Sequence, residues 1–187
     1  MPEHPSKTNP NIMKNFRQLI ASTLSLVLLC SSALATPSVK TMPLTTGKDL
    51  NGTPWSVPQG LPAERTLALV GFDEPQQAAI DTWTQGLGLD QPMNKIPWVE
   101  MPLIDNPGMF MRWFIDTGMR GGIKGHFQRS HVWTAYTNKR AFLQSCGIAS
   151  ESEIRVLVVD RSGKILHSES GEYTKEGAKA LLKALYP

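Results

Sequence analysis

The sequence predicts an α/β fold in which a mixed β-sheet carries helices on both faces, with a β-α-β unit followed by a β-β-α unit. Residues 66–72 form a short, uninterrupted apolar run, which is typical of a strand covered on both faces. Residues 154–160 form a second such run, and a turn segment and a helical pattern follow it. Because β-α-β units place strands in parallel and hairpins place them antiparallel, the sheet is predicted to be mixed.

The first 35 residues have the features of a secretory signal peptide. A basic segment at residues 13–17 precedes an apolar run at residues 19–30, which is short for a bilayer span. Small residues at Ala33 and Ala35 then supply a cleavage site. Met13 is an alternative start of translation. With residues 1–35 removed, the mature protein is predicted to be periplasmic or secreted.

A second interpretation of the leader is lipidation of Cys30, which would make that residue the mature N-terminus. Leu29 precedes it where such sites have a small residue, so cleavage after Ala35 is favoured. Loss of the leader lowers the formal net charge from +3 to +1. The charged residues that leave with it are Lys7, Lys14, Arg17 and Glu3. The remaining charge gives no reason to expect a nucleic-acid partner, and membrane association is expected only through an uncleaved leader or a lipidated Cys30.

Residues 36–60 are predicted to be an extended lead-in to a domain that spans residues 61–187. Four prolines in the lead-in oppose a helix, and Asn51-Gly52 is a turn signal. We expect Trp55 and Val57 to lie in an edge strand beside this turn.

The β-α-β unit begins with the strand at residues 66–72. Asp73 follows it as the N-cap of a helix, and Gly86 and Gly88 end that helix. The second strand is predicted at residues 96–104, where two prolines suggest bulges or an edge position.

Three segments connect the two units. Residues 109–119 are predicted to be helical, and glycines in residues 120–125 end that helix. Its inward-facing residues are predicted to be Met109, Trp113 and either Phe114 or Ile115. Residues 131–136 are ambiguous between strand and helix, whereas residues 138–146 are predicted to be a helix with Asn138 as its N-cap.

The β-β-α unit closes the chain. The strand at residues 154–160 leads into a turn in which Gly163 is free to take a positive φ, and residues 165–169 form the returning strand. Residues 172–186 are predicted to be a helix with Thr174 as its N-cap. Its apolar stripe consists of Ala178, Leu181, Leu182 and Leu185.

The segment Val156-Leu-Val-Val-Asp160-x-x-Gly163-Lys164-Ile165 resembles the strand and hairpin of thioredoxin-superfamily proteins, and the likeness covers residues 46–187. The resemblance implies a redox-active cysteine at the start of the helix after the first core strand, where helix N–H groups stabilise a thiolate. Asp73-Glu74-Pro75-Gln76 occupies that position here. The resemblance also implies a cis-proline before the hairpin strand, and residues 150–155 contain no proline. We therefore expect a redox-inactive branch in which the two carboxylates act as helix caps.

Within that branch the chain resembles the assembly chaperones of the mitochondrial ATP synthase and their exported bacterial relatives. The likeness lies in Gly118-Met-Arg-Gly-Gly-Ile123, in the spacing of Tyr136, Asn138 and Cys146, and in the hairpin. It implies a protein partner in the cell envelope, with no catalytic residue and no cofactor. An assembly factor or chaperone is therefore the expected function class.

A segment rich in methionine, aromatic residues and arginine is the candidate partner surface, because such side chains adapt to apolar partners. The candidate binding residues are Phe110, Arg112, Trp113, Met119, Arg120 and Arg129. The alternative is that Trp113 and Phe114 fill the core. No metal site is predicted, because His126, His131 and His167 lack ligand spacing.

Cys146 is the only thiol of the predicted mature chain. Its position near a helix C-terminus favours an inert, half-buried residue, since the helix dipole there disfavours a thiolate. The enzyme alternative is a single-cysteine thiol oxidoreductase that uses Cys146 and requires it to be exposed. A third interpretation is a small-molecule pocket beside Trp55, Trp83 or Trp98.

Overall fold

The computed structural model describes residues 39–187. The predicted signal peptide, the alternative start at Met13 and the lipidation candidate Cys30 lie outside the described residues. Across residues 39–187, no helix combines the length and the apolar character needed to cross a bilayer.

Within residues 39–187, seven strands form two sheets. Their bounds are β1 Thr45–Lys48, β2 Pro54–Val57, β3 Arg65–Gly71, β4 Trp98–Asp105, β5 Ala135–Thr137, β6 Arg155–Asp160 and β7 Ile165–Ser170. The five-stranded sheet has the order β5-β4-β3-β6-β7. β3 pairs with β4, and β4 with β5, in parallel. β6 pairs antiparallel with both β3 and β7, so the predicted mixed sheet is confirmed.

Five α-helices are described. Their bounds are α1 Gln77–Gly86, α2 Met109–Gly122, α3 His126–His131, α4 Lys139–Cys146 and α5 Lys175–Leu185. A 3-10 turn at Glu74–Gln76 precedes α1. The order β3-α1-β4 and then β6-β7-α5 is the predicted β-α-β unit followed by a β-β-α unit.

The sheet has an apolar core on each face. Ile80 and Trp83 of α1 pack with Leu181 and Leu185 of α5 on one face. Phe142 and Cys146 of α4 pack on the other face, together with residues of the N-terminal segment. The period-two alternation of the strands separates the two cores, because successive side chains point to opposite faces. The prediction of helices on both faces is therefore confirmed.

Residues 39–60 contribute a hairpin to the second core. β1 and β2 pair antiparallel around the turn at Asn51-Gly52, as a two-stranded sheet of their own. Trp55 is buried, and its ring stacks on Trp133 with centroids 5.4 Å apart. Trp55 and Val57 lie in a strand, as predicted, but that strand does not extend the main sheet.

The predicted caps are present because each side chain can accept from an otherwise unpaired helix N–H. Asn138 Oδ1 accepts from Ala141 N at 2.9 Å, and Thr174 Oγ1 accepts from Gly177 N at 3.0 Å. Gly163 has a φ of 90° in the hairpin turn. Local sequence signals therefore set the ends of these elements.

The predicted inward packing of α2 is wrong for Met109, Trp113 and Phe114, whereas the alternative residue Ile115 is half-buried. Met109, Trp113 and Phe114 are exposed, and no residue of this helix is buried. The helix also continues to Gly122, so the glycines after Arg120 do not break it where predicted. Glycine lowers helix propensity by only about 1 kcal/mol relative to alanine, which tertiary context can outweigh. The ambiguous stretch at residues 131–136 contains the end of α3 and the start of β5.

Candidate binding site

A capping arrangement occupies the position at which the resemblance described above implies a redox motif. Asp73 Oδ1 accepts from Glu74 N at 2.9 Å, so Asp73 caps the 3-10 turn, as predicted for a carboxylate at this place. Gln76 Oε1 accepts from Phe72 N at 2.9 Å, and Gln76 Nε2 donates to Glu151 O at 2.7 Å. The Gln76 amide thus joins the end of β3 to the loop before β6.

A cavity of about 720 Å³ lies beside this position. Its walls come from the start of α1, from the C-terminal ends of β3 and β4, and from one face of α2. The apolar lining residues are Phe72, Ile80, Pro102, Leu103, Ile104, Ile115, Met119 and Ile123. The acidic lining residues are Asp73, Glu74 and Asp81, and none of the lining residues is basic. A volume of this size with mostly apolar walls is typical of a ligand site.

Glu100 adds a fourth carboxyl group behind this wall. It lies in β4, its side chain is only 7% exposed, and Oε1 has no hydrogen-bond partner. Burial raises the pKa of Glu100 to about 7, the negative charge of Asp81 adds to the rise, and a hydrogen bond with Gln77 opposes it. Gln77 Nε2 also donates to Asp81 Oδ1 at 3.0 Å. Gln77 and Asp81, the two residues that influence the Glu100 pKa, both line the cavity.

Helix α2 is held to the sheet by polar contacts rather than by a buried apolar face. Tyr136 Oη donates to Asp116 Oδ1 at 2.7 Å, and burial and this hydrogen bond raise the pKa of Tyr136. The Arg112 guanidinium lies 5.0 Å from the centroid of the Tyr136 ring and also contacts Asn106. Arg129 Nε donates to Ile123 O at 2.8 Å at the C-terminal end of the helix. The two ends of α2 are therefore fixed, and the space between α2 and α1 stays open.

The first two turns of α2 expose five large apolar side chains, and three of them, Phe110, Trp113 and Phe114, form the outer face of the helix. The exposed fractions are 87% for Met109, 80% for Phe110, 51% for Met111, 62% for Trp113 and 64% for Phe114. The Phe110 and Trp113 rings contact each other, with centroids 6.1 Å apart. An exposed cluster of this kind is typical of an interaction surface.

The predicted site residues fall into three places. Phe110, Trp113 and Arg120 are exposed on α2, which supports the surface interpretation over the core alternative. Met119 lines the cavity together with Asp73 and Glu74. Arg112 and Arg129 are half-buried, and their guanidinium groups bind atoms of this chain.

The cavity itself was missed at the sequence level, as was Glu100. Glu100 is the one charged residue between Trp98 and Ile104, and a carboxylate inside a predicted buried strand was the available signal. The distance between α1 and α2, which creates the cavity, has no counterpart in local sequence.

Cys146 is buried in the core next to the N-terminal segment. Its side chain is 2% exposed, and Sγ lies 3.7 Å from Thr41 O. Burial raises the pKa of the Cys146 thiol to about 12. A reactive cysteine needs an accessible thiolate, so the single-cysteine oxidoreductase has no structural support.

His131 and His167 have structural partners within the protein. The His131 ring stacks on Trp98 with centroids 4.4 Å apart, and His167 Nε2 lies 2.6 Å from Glu169 Oε1. No group of three or more potential metal-ligating side chains occurs within residues 39–187.

No protein-family model matches the chain, and no curated protein matches it. Among solved structures, the chain is similar to yeast Sco1, with 10% identity, a TM-score of 0.50, and coverage of 81% of this chain and 99% of that one. It is also similar to BsSco, a member of the Sco family of cytochrome c oxidase assembly proteins, with 12% identity, a TM-score of 0.50, and coverage of 78% and 91%. The exposed lipoprotein thioredoxin Etrx1 from Streptococcus pneumoniae matches with 12% identity, a TM-score of 0.49, and coverage of 76% and 100%.

At these identities a likeness concerns the fold alone. The more specific resemblance to the ATP synthase assembly chaperones is not shown by these comparisons and stays a prediction. The strand order of the central sheet, its pairing pattern and the neighbouring structures agree: this chain has a thioredoxin-like fold.

Proposed function

We propose that the chain is an exported thioredoxin-like protein without a redox centre, and that it acts by binding a protein partner in the cell envelope. The observation that carries this proposal is the outer face of α2, where the aromatic side chains of Phe110, Trp113 and Phe114 are exposed. Assembly factor or chaperone is the function class that we favour. The signal-peptide features of residues 1–35 support the location.

Burial of the outer-face side chains against a partner would be energetically favourable. Full burial of one large apolar side chain contributes about 1.5–3 kcal/mol. Aromatic residues dominate the energetics of protein interfaces, and methionine adapts to different apolar surfaces. Arg120 lies on the same helix and is also exposed, so it is available at the rim of such an interface.

The absence of a redox role rests on the positions of the relevant residues. Asp73 and Glu74 stand where the thioredoxin nucleophile and its neighbours would be, and a carboxylate cannot exchange disulfides. Cys146 is the last residue of α4, and its side chain lies in the core, where burial disfavours the thiolate. Binding therefore accounts for the features of this chain better than thiol chemistry does.

Site-specific photo-cross-linking in the cell envelope tests this proposal. A benzoylphenylalanine is placed at Phe110, and the matched control places it at Met93, which is 85% exposed in the loop before β4. We expect a discrete cross-linked protein from Phe110 only. The partner identified in this way is then purified, and its affinity is measured for the wild-type chain and for Phe110→Ser/Trp113→Ser.

The double variant should weaken partner binding at least about tenfold, whereas Leu44→Ser, at another exposed apolar position, should not change it. Equal cross-linking from both positions would contradict the proposed surface. Insulin reduction at an enzyme-like rate that Cys146→Ser abolishes would show that the protein is a thiol enzyme instead.

A further inference from the structure

We propose that the cavity between α1 and α2 receives a peptide segment of the partner in which apolar side chains flank a lysine or arginine. This inference rests on the proposed function, because it names the chemistry of the partner. The cavity and the outer face belong to opposite sides of α2, so a partner that fills both would enclose this helix.

The apolar walls argue for an apolar occupant. Ile115, Met119 and Ile123 recur at intervals of four residues along α2, which places them on one helix face. All three line the cavity and remain partly exposed, although they face the body of the protein. Water in a space of about 720 Å³ would contact these apolar walls, and its release on peptide binding is favourable.

The charge around the cavity selects a cationic occupant. Asp73, Glu74 and Asp81 line the cavity, and none of the lining residues is basic. The ion pairs of the described part of the chain are Lys139–Glu151 and His167–Glu169, so none of these three carboxyl groups takes part in one.

The positive charges of this chain that could neutralise the cavity carboxylates already interact with other groups. Lys139 Nζ lies close to the cavity, where it donates to Phe72 O at 3.1 Å, but it pairs with Glu151 at 3.0 Å. The start of α1 compensates Asp73 through its cap, whereas Asp81 lies more than one turn into that helix. A lysine or arginine of the partner would supply the missing positive charge.

Two glycines on the inner face of α2 permit a test that leaves the fold intact. Gly118 and Gly122 line the cavity, and a Cβ added at either meets no atom within 4 Å. Gly121 is equally open, but it does not line the cavity. In Gly118→Leu the new leucine side chain should therefore fill part of the cavity. Gly121→Leu is the matched control on the same helix. Both substitutions replace glycine, which is a poor helix former.

The binding experiment uses the purified protein and a five-residue probe, Leu-Val-Lys-Val-Leu-amide, which carries a fluorophore on its N-terminus so that the lysine keeps its charge. Binding is followed by fluorescence polarisation. A second probe has norleucine in place of lysine, which keeps the apolar stem and removes the charge. We expect the lysine probe to bind about three- to tenfold more tightly at low salt, and this preference should shrink as salt is added. Asp81→Asn should reduce the preference, whereas Glu172→Asn, at an exposed carboxylate on the loop before α5, should not.

Gly118→Leu should abolish binding of the lysine probe, and Gly121→Leu should retain it. Equal binding of both probes, or a Gly118→Leu variant that still binds, would overturn the inference. Binding of dodecylamine without binding of the peptide would also overturn it, in favour of a small cationic amphiphile. Concentration-dependent self-association that Gly118→Leu removes would overturn it in favour of a second copy of this chain.

The two proposals fail in different ways. If Phe110→Ser/Trp113→Ser loses the cross-linked partner while Gly118→Leu keeps both the partner and the peptide, the outer face stands and the cavity inference falls. If Gly118→Leu loses the peptide while the double variant keeps the partner, the cavity inference stands and the outer face is wrong.

Discussion

Replacing Glu100 by glutamine should stabilise the protein at neutral pH. The carboxyl group lies in the centre of β4, is 7% exposed, and has no hydrogen-bond partner at Oε1. Burial raises its pKa from 4.5 to about 7. An ionised carboxylate at this position is therefore disfavoured in the folded state relative to the unfolded chain.

The magnitude follows from the shift. The Glu100 pKa rises from 4.5 to about 7, and a difference of one in pKa corresponds to 1.36 kcal/mol. At pH values above the folded-state pKa, ionised Glu100 therefore lowers the free energy of unfolding by about 3 kcal/mol. The folded pKa lies above the unfolded one, so the contribution of Glu100 to stability is fully present below about pH 4.5. It is lost as the pH rises from 4.5 to about 7.

Urea unfolding of the wild type and Glu100→Gln at pH values from 4.5 to 8 measures this effect. We expect the two proteins to be nearly equal in unfolding free energy at pH 4.5, with the variant about 2–3 kcal/mol more stable at pH 8. Glu172→Gln serves as a control for the amide substitution, and we expect it to change stability by less than about 0.5 kcal/mol. A Glu100→Gln effect that is independent of pH, or a variant that is less stable at pH 8, would refute the reasoning.

Three further predictions follow from other sites. Cys146 should react with iodoacetamide at pH 8 at least about a thousandfold more slowly in the mature folded protein than in guanidinium, because a pKa of about 12 leaves little thiolate. If the alkylation rate of the folded protein has its pH midpoint near the pKa of a free thiol, the burial of Cys146 is contradicted. Asp160→Ala should lower the unfolding free energy by about 1–2 kcal/mol in urea titrations, because its side chain accepts hydrogen bonds that form the hairpin turn. Partial burial raises the pKa of Asp160, but these hydrogen bonds outweigh it and hold the pKa below its usual value. The stability lost in Asp160→Ala should therefore become smaller as the pH falls below about 4, where the carboxylate becomes protonated. Trp83→Phe should cost about 1–3 kcal/mol by thermal melting, because Gly171 O loses the indole N–H donor at 2.8 Å; an unchanged melting temperature would show that this bond is dispensable.

The regular elements of the fold could be predicted because their signals are local. The residues before Asp73 and before Asp160 form uninterrupted apolar runs with no polar face. Such a run predicts a strand that is covered on both sides of the sheet. Asn138 and Thr174 cap their helices through atoms only three residues away. The absence of a cysteine from Asp73-Glu74-Pro75-Gln76, directly after the first core strand, could also be identified from the sequence, because it depends on residue identity at one place in the element order.

The packing of α2 could not be predicted in the same way. Periodicity places Ile115 and Met119 on one helix face and shows that aromatic residues accumulate near Phe110, but it does not say which face meets the protein. The expectation that Trp113 points inward followed from hydrophobicity alone, and the structure places it in solvent.

The sequence by itself thus determined the strands, the helix caps, the mixed sheet and the absence of a cysteine from residues 73–76. Only the tertiary structure decided that α2 stands away from α1, that Glu100 is buried without a full set of partners, and that Cys146 is inaccessible. The physical reason is that a cap or a buried strand depends on neighbours along the chain. A cavity, a desolvated carboxyl group and an exposed apolar face depend on distances between segments that are remote in sequence.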